Sequence, residues 1–235
     1  MLTFAFDALK FTRRAFPRHT PWLLFCMVVL GFIGTAEMVG VTSLCRFWGG
    51  SESLYCSFLH FFRVSNWSLT ALMIQWSTFI LSQNLHVKAQ GRAVCLGDHT
   101  YVVKNGRRMP GVVSLRQDSE TQTKPSYFRG HCWGAIGLTI GSMAAPFGIP
   151  LMLGIHQGAK HIGQIEDTAK KKVDTMGTKI VQMAIDFAHR HNLPTVMVLD
   201  AYFPSKAVFK LAASVWSITL RQPLVTLIIR AKKTV

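Results

Sequence analysis

Two short apolar runs that each end on an aspartate restrict the fold of this chain more than any other feature. One run ends on Asp98, and the other follows Pro194 and ends on Asp200. Runs of β-forming residues bounded by turn-forming residues are typical of buried strands. Each run therefore predicts a strand with a carboxylate at its carboxyl end. An Asp in such a position is also common as a helix cap or a turn residue, and both interpretations stay open at this stage.

The composition admits several classes of protein. The chain has 235 residues, of which 49% are hydrophobic, and its 26 Lys and Arg against 11 Asp and Glu give a formal charge of +15. A basic surplus of this size suits DNA, RNA or an anionic membrane surface as a partner. The hydrophobic content keeps membrane insertion as an alternative.

The cysteines and histidines do not predict a zinc site. Five cysteines are scattered without a CxxC pair, which is typical of a reduced, cytoplasmic compartment. Three pairs of potential ligands do not recur at the spacing of zinc sites. They are His131 with Cys132, His156 with His161, and His189 with His191.

The first 90 residues are predicted to be mostly helical. Residues 1–20 form a basic helix or arm that ends at Pro17 and Pro21, and it suits either a solvated surface or phosphate contacts. Residues 22–34 are apolar and precede Glu37. Because this run is shorter than the ~20 residues that span a bilayer, we expect a buried helix. Helical spacing predicts further helices over residues 53–85.

The pattern changes from helical to strand-like around Gln90 and Gly91, where the sequence predicts a boundary between regions 1–90 and 91–235. Glycines and prolines disfavour a helix in water, so the apolar residues after Cys132 predict a strand hairpin rather than a second membrane helix. The segments that follow the boundary are a first strand over 94–98 with an extension over 101–103, a basic turn over 104–108, a polar loop over 114–131, and strands over 133–141 and 149–155.

The last third of the chain predicts helices that alternate with strands. Apolar residues recur at helical spacing over 180–188, and a second helix opens at Pro204 and Ser205. A final strand covers residues 224–230. The predicted order from residue 92 onward is β-β-β-α-β-α-β, which is the order of a ribonuclease-H-like α/β fold, a mixed sheet flanked by helices. In that topology the first strand lies at the centre, beside the fourth and parallel to it.

Asp98 and Asp200 are then expected to be neighbours, since adjacent strands lie roughly 4.8 Å apart. The carboxyl ends of parallel strands are where open α/β sheets place their ligands. Two carboxylates there repel one another unless a cation lies between them, and oxygen ligands suit Mg²⁺ or Mn²⁺. The pair therefore predicts a metal site for phosphodiester cleavage by two metal ions, with DNA held by the basic surplus.

Four stretches carry a resemblance to a known family: residues 97–100 (Gly-Asp-His-Thr), 102–112, 124–131 and 198–203. They resemble the DDE transposases of bacterial insertion sequences, and the similarity extends to the Trp-rich helical part up to residue 48. The resemblance implies a ribonuclease-H-like core that cuts and rejoins DNA with two aspartates and a glutamate as metal ligands. Asp98 matches the first aspartate and Asp200 the second. Lys104, Arg107 and Arg108 are expected near DNA phosphates.

The third acid of the family has no counterpart, because no Asp or Glu follows Asp200, and Glu120 and Glu166 precede it in charged, loop-like stretches. The chain is therefore expected to be the N-terminal portion of a transposase with an incomplete site and little strand transfer. Two other functions stay open. One is a DNA-binding remnant that pairs with itself or with an intact transposase, in the cytoplasm and bound to the nucleoid. The other is a small membrane protein.

Overall fold

Helices make up the first part of the chain, and a mixed β-sheet with two helices makes up the second. The computed structural model describes residues 2–35, 40–64, 66–104, 106, 109–116, 127–142, 144–156, 175–218 and 221–231. The chain divides into two compact units, Met1–Gln83 and Asn84–Val235.

The first unit is built from helices joined by short connections. They are α1 (Leu2–Thr12), a 3-10 turn (Arg13–Ala15), α2 (His19–Gly34), α3 (Val41–Phe47), α4 (Glu52–Arg63) and α5 (Leu69–Ser82). Phe58 and Leu44 lie at the centre of a buried aromatic and aliphatic core, and the rings of Phe61 and Trp67 stack 5.3 Å apart at its margin. The helices predicted over residues 53–85 are confirmed as α4 and α5.

Helix α2 is less buried than its apolar sequence predicts. Only Val28 and Gly31 are buried, while Phe32 and Ile33 are 55% and 56% exposed. The helix packs against α3 and α4 through one stripe. A helix that is apolar on every side is normally surrounded by protein, so the expected buried helix is confirmed as a helix but corrected in its burial.

Among the described residues, no helix is both long enough and apolar enough to cross a membrane. The apolar residues of the proposed second membrane helix, 133–155, lie in two β-strands instead.

The second unit contains two helices and nine strands within the described residues. The helices are α6 (Met176–Arg190) and α7 (Lys206–Ala213). The strands are β1 (Lys88–Ala89), β2 (Arg92–Val103), β3 (Val113–Arg116), β4 (Tyr127–Ser142), β5 (Ala145–His156), β6 (Thr195–Leu199), β7 (Trp216–Ser217), β8 (Gln222–Pro223) and β9 (Val225–Ile229).

The main sheet has the order β5-β4-β2-β6-β9. Strand β4 is antiparallel to β2 and to β5, whereas β2, β6 and β9 are parallel to one another. Strand β3 pairs with the first residues of β4, on the edge that β5 occupies further along. The predicted element order is present as β2, β4, β5, α6, β6, α7 and β9. The first long strand is central, and its parallel neighbour is the strand that ends before Asp200.

One segment differs from the sequence-based expectation. The sequence predicts a loop over residues 114–131, but β3 and the start of β4 pair from Val113 with Gly130 to Arg116 with Tyr127. Their polar side chains lie on one face and are exposed. Because backbone hydrogen bonds join the two strands, the sequence contains no apolar run that would predict them.

Gln90 and Gly91, where the sequence pattern changes from helical to strand-like, form the two-residue turn between β1 and β2, with positive φ of 51° and 78°.

Helix α6 covers one face of the sheet and lies close to β2 at Gly97. A Cβ atom on Gly97 would come within 2.2 Å of Met197 Cε, 2.6 Å of Leu199 Cδ2 and 2.7 Å of Ile180 Cγ2. The absence of a side chain at this position therefore allows the helix and the neighbouring strand to pack against β2.

We expect Gly97→Ala to lower the free energy of unfolding by about 1–3 kcal/mol, because three side chains must move to accommodate one methyl group. Denaturant unfolding of the two proteins measures the difference. Gly148→Ala is the matched control, since its Cβ would have Leu96 Cδ1 as nearest neighbour, at 3.4 Å. Equal losses in the two variants would contradict this account of α6 packing.

His86 predicts a dependence of stability on pH. Neither of its ring nitrogens has a hydrogen-bond partner among the described residues, and burial, with a smaller effect from Lys88, lowers its pKa below 6.5. The unfolded chain thus binds a proton that the folded chain resists. Stability is full above about pH 6.5 and falls as the pH drops below that value.

We expect the free energy of unfolding to be smaller at about pH 5.5 than at about pH 7.5, and His86→Phe to reduce this difference. Denaturant unfolding at both pH values tests it. The pKa values of His99 and His191 are lowered in the same direction, so part of the dependence remains in the variant. A difference that His86→Phe leaves unchanged would assign the effect to other groups.

Candidate active site

Asp98 and Asp200 lie at the same edge of the sheet, on neighbouring parallel strands. The last paired positions of β2 and β6 are Gly97 and Leu199, and each aspartate is the next residue in its chain. Parallel strands lie roughly 4.8 Å apart, so the two aspartates start from neighbouring backbone positions. The structure thus brings together the two residues that the sequence predicts to be neighbours.

The Asp98 carboxylate faces solvent on the sheet face opposite α6. Alternation along β2 places Gly97 toward α6 and Asp98 away from it, and the Asp98 side chain is 83% exposed. Its Oδ1 accepts a hydrogen bond of 2.7 Å from the His99 amide. Oδ1 of Asp200, which is also exposed, accepts one of 2.6 Å from the Ala201 amide. Both carboxylates are therefore oriented by their own backbone and remain accessible.

His99 connects the two strand ends through its ring. The side chain is only 13% exposed, and its ring centroid lies 4.7 Å from that of Tyr202 and 5.3 Å from that of Phe203, both just after Asp200. On β2, the Tyr101 hydroxyl lies 3.1 Å from His99 Nε2. The aromatic contacts hold the turn after β6 against the end of β2, and so hold both aspartates in place.

The pKa of His99 depends on its burial and on the charges of the two aspartates. Burial lowers its pKa, and the charges of Asp98 and Asp200 oppose that shift more weakly. Nδ1 has no hydrogen-bond partner among the described residues, and it lies 3.8 Å from Asp98 Oδ1.

The thiols near the site are not nucleophiles or thiolate ligands. Burial raises the pKa of Cys95 to about 12, and it raises that of Cys132 to about 11 against the opposing charge of Lys179. Both thiols are protonated at neutral pH, when a reactive cysteine needs the thiolate form.

The predicted phosphate-binding residues are only partly described. Lys104 follows β2 directly, is half-buried, and its amide donates to the Arg129 carbonyl at 3.0 Å. Arg107 and Arg108 lie outside the described residues, as do Glu37, Glu120 and Glu166.

The donor set is chemically suited to a hard divalent cation but small. Two exposed carboxylates on adjacent strands offer the oxygen ligands that Mg²⁺ and Mn²⁺ prefer. Among the described residues, no three His, Cys, Asp or Glu side chains are grouped so as to hold a metal ion. The described part of the site therefore offers two candidate ligands and not a complete coordination shell.

No protein-family model matches the chain, and no curated protein matches it either.

Sequence reasoning did not single out His99, Tyr202 or Phe203 as members of the site. The periodicity of β2 places His99 on the face opposite Asp98, and this could have been read from the sequence. Its contact with the two aromatic residues could not, because they are about a hundred positions away and meet it only through the pairing of β2 with β6.

We expect His99→Ala to lower the free energy of unfolding by about 1–3 kcal/mol, because the ring contacts with Tyr101, Tyr202 and Phe203 are lost. His99→Phe keeps a ring in place but loses the hydrogen bond between Nε2 and the Tyr101 hydroxyl, so it is expected to cost about 1 kcal/mol, less than His99→Ala. Denaturant unfolding compares the three proteins. Equal losses for Ala and Phe would show that the ring nitrogens, and not the aromatic packing, stabilise the strand ends.

Proposed function

We propose that this chain is a DNA-cleaving protein of the DDE transposase class with a ribonuclease-H-like catalytic core. Asp98 and Asp200 serve as its first two metal ligands. The proposal is supported by the strand order β5-β4-β2-β6-β9 with its parallel β2, β6 and β9. The four stretches that resemble insertion-sequence transposases support it independently, because they include both aspartates.

One observation carries the proposal: the register of β2 and β6, in which Gly97 pairs with Leu199. This register places two exposed carboxylates side by side at the carboxyl ends of parallel strands, where α/β sheets bind ligands. Two aspartates that served only in turns would have no reason to lie at the same edge of the sheet, since they are about a hundred residues apart in the sequence. Their proximity favours a shared ligand.

In the proposed mechanism Asp98 and Asp200 would hold Mg²⁺ or Mn²⁺. Such ions, when bound, would supply activation of a water or 3′-hydroxyl and stabilisation of a leaving oxygen. The amides of His99 and Ala201 orient the carboxylates, and the buried ring of His99 holds the two strand ends together. Basic residues near the end of β2, such as Lys104, attract the DNA backbone.

A second candidate function is DNA binding without chemistry. It is favoured by the absence of a third metal-ligand side chain near the pair among the described residues. Two carboxylates bind a divalent ion more weakly than three, so we expect weak metal binding and little strand transfer from this chain. In this role the protein would occupy transposon ends in the bacterial cytoplasm, or pair with a second copy or with an intact transposase.

Mn²⁺ binding distinguishes the two functions. We expect the chain to bind Mn²⁺, as seen by loss of the free-ion signal in electron paramagnetic resonance. Asp98→Asn and Asp200→Asn are each expected to weaken binding at least about tenfold, because each removes one of two charged ligands. Nicking of supercoiled plasmid in Mn²⁺ is the matching assay of activity.

Asp186→Asn is the matched control, since it removes an exposed carboxylate from helix α6, away from the strand ends. It is expected to leave Mn²⁺ binding unchanged. If the Asp98 and Asp200 variants bind Mn²⁺ as the unaltered chain does, the metal site is wrong. DNA binding without Mn²⁺ binding or nicking would favour the second candidate.

A further inference from the structure

Strands β2, β4 and β3 continue past the aspartates as a ribbon. Strand β6 stops at Leu199, level with Gly97, whereas β2 runs on to Val103 with β4 still paired to it. Strand β5 ends level with Cys132, and β3 takes its place beside the first residues of β4. We call this extension the ribbon and define it as residues 99–104, 113–116 and 127–133.

One face of the ribbon is continuous with the face that carries Asp98. Asp98 pairs with Ala135 on β4, and the pairing of β2 with β4 runs without a bulge to Val103. Residues that alternate along β4 from Ala135 share its face, which places Arg129 and Tyr127 on the Asp98 side. Tyr127 pairs with Arg116 on β3, so Arg116 lies there as well.

This face of the ribbon is cationic and exposed. Arg116, Tyr127 and Arg129 are exposed, and Tyr127 is 71% accessible. The Arg116 guanidinium lies 5.9 Å from the Tyr127 ring centroid. Lys104 adds a further charge at the end of β2, and the ribbon contains no Asp or Glu. A group of cationic side chains on an exposed face attracts a polyanion.

We propose that the ribbon is a docking surface for the backbone of duplex DNA, with Arg116 and Arg129 as its phosphate contacts. The inference rests on the proposed function for its choice of ligand, but not on the cleavage chemistry. Arg129 lies six positions before Ala135, which is about 20 Å along a strand at 3.4 Å per residue.

The position of the two carboxylates favours DNA over other polyanions. A duplex that lies along the ribbon passes directly over Asp98 and Asp200, where a phosphodiester is to be cut. An anionic membrane would meet the same cations but would give the carboxylates no role. The ribbon thus extends the candidate site by a surface that holds the substrate on one side of the cut.

The test measures binding of a fluorescein-labelled duplex of about 30 base pairs by anisotropy, in EDTA and over a series of salt concentrations. We expect the full chain with Arg116→Ala and Arg129→Ala together to bind on the order of tenfold more weakly at 0.1 M salt. The slope of log affinity against log salt should fall by about 0.9 for each lost contact, or about 1.8 in total.

The matched control replaces Lys206 and Lys210 by Ala. These exposed residues lie on helix α7, which packs against α6 and β9 and is not part of the ribbon. The control removes the same net charge, so a general electrostatic effect would weaken both double variants equally. Circular dichroism and thermal unfolding verify that each variant is folded.

Equal affinities and equal salt slopes for the two double variants would overturn the inference, and so would failure of the unaltered chain to bind duplex DNA at low salt. Preferential binding to vesicles with anionic headgroups, lost on Arg116→Ala and Arg129→Ala, would also overturn it. Because no metal is present, the result is separate from the proposed cleavage.

Discussion

The parallel pairing of β2 with β6 is the interaction on which the candidate site depends. It runs from Ala93 with Thr195 to Gly97 with Leu199, and it brings two residues a hundred positions apart to the same edge. A slip of one residue would turn one carboxylate to the opposite face, because side chains alternate along a strand. Gly97 contributes to this register by letting Met197, Leu199 and Ile180 close over the strand.

The two faces of the sheet serve different purposes. The face toward α6 is packed with apolar side chains and supplies the stability of the second unit, whereas the face that carries Asp98 is largely open. Adjacent residues of β2 illustrate the difference, since Asp98 is 83% exposed and His99 is 13% exposed. A rigid, buried layer thus positions an accessible charged one, which is the arrangement that a binding or catalytic edge requires.

Much of the sheet unit could be predicted because its elements are strongly patterned. The β6 strand, the helix before it and the order of the main elements follow from apolar runs, helical spacing and the turn residues around them. The strands at residues 113–116 and 127–131 could not, because their polar, exposed side chains hide a pairing made by the backbone. The apolar composition of α2 predicts more burial than the structure shows, because composition alone does not determine how many neighbouring elements cover a helix.

The sequence by itself predicted two buried strands that each end on an aspartate, Asp98 and Asp200. Local composition and periodicity are sufficient for this, because they act over a few residues. The pairing of β2 with β6 agrees with the predicted proximity of Asp98 and Asp200. Only the tertiary structure decided that His99 joins their strand ends, and that Arg116 and Arg129 share the face of Asp98. These relations depend on strand register and face, which arise from backbone pairing between distant segments and leave no local signal in the sequence.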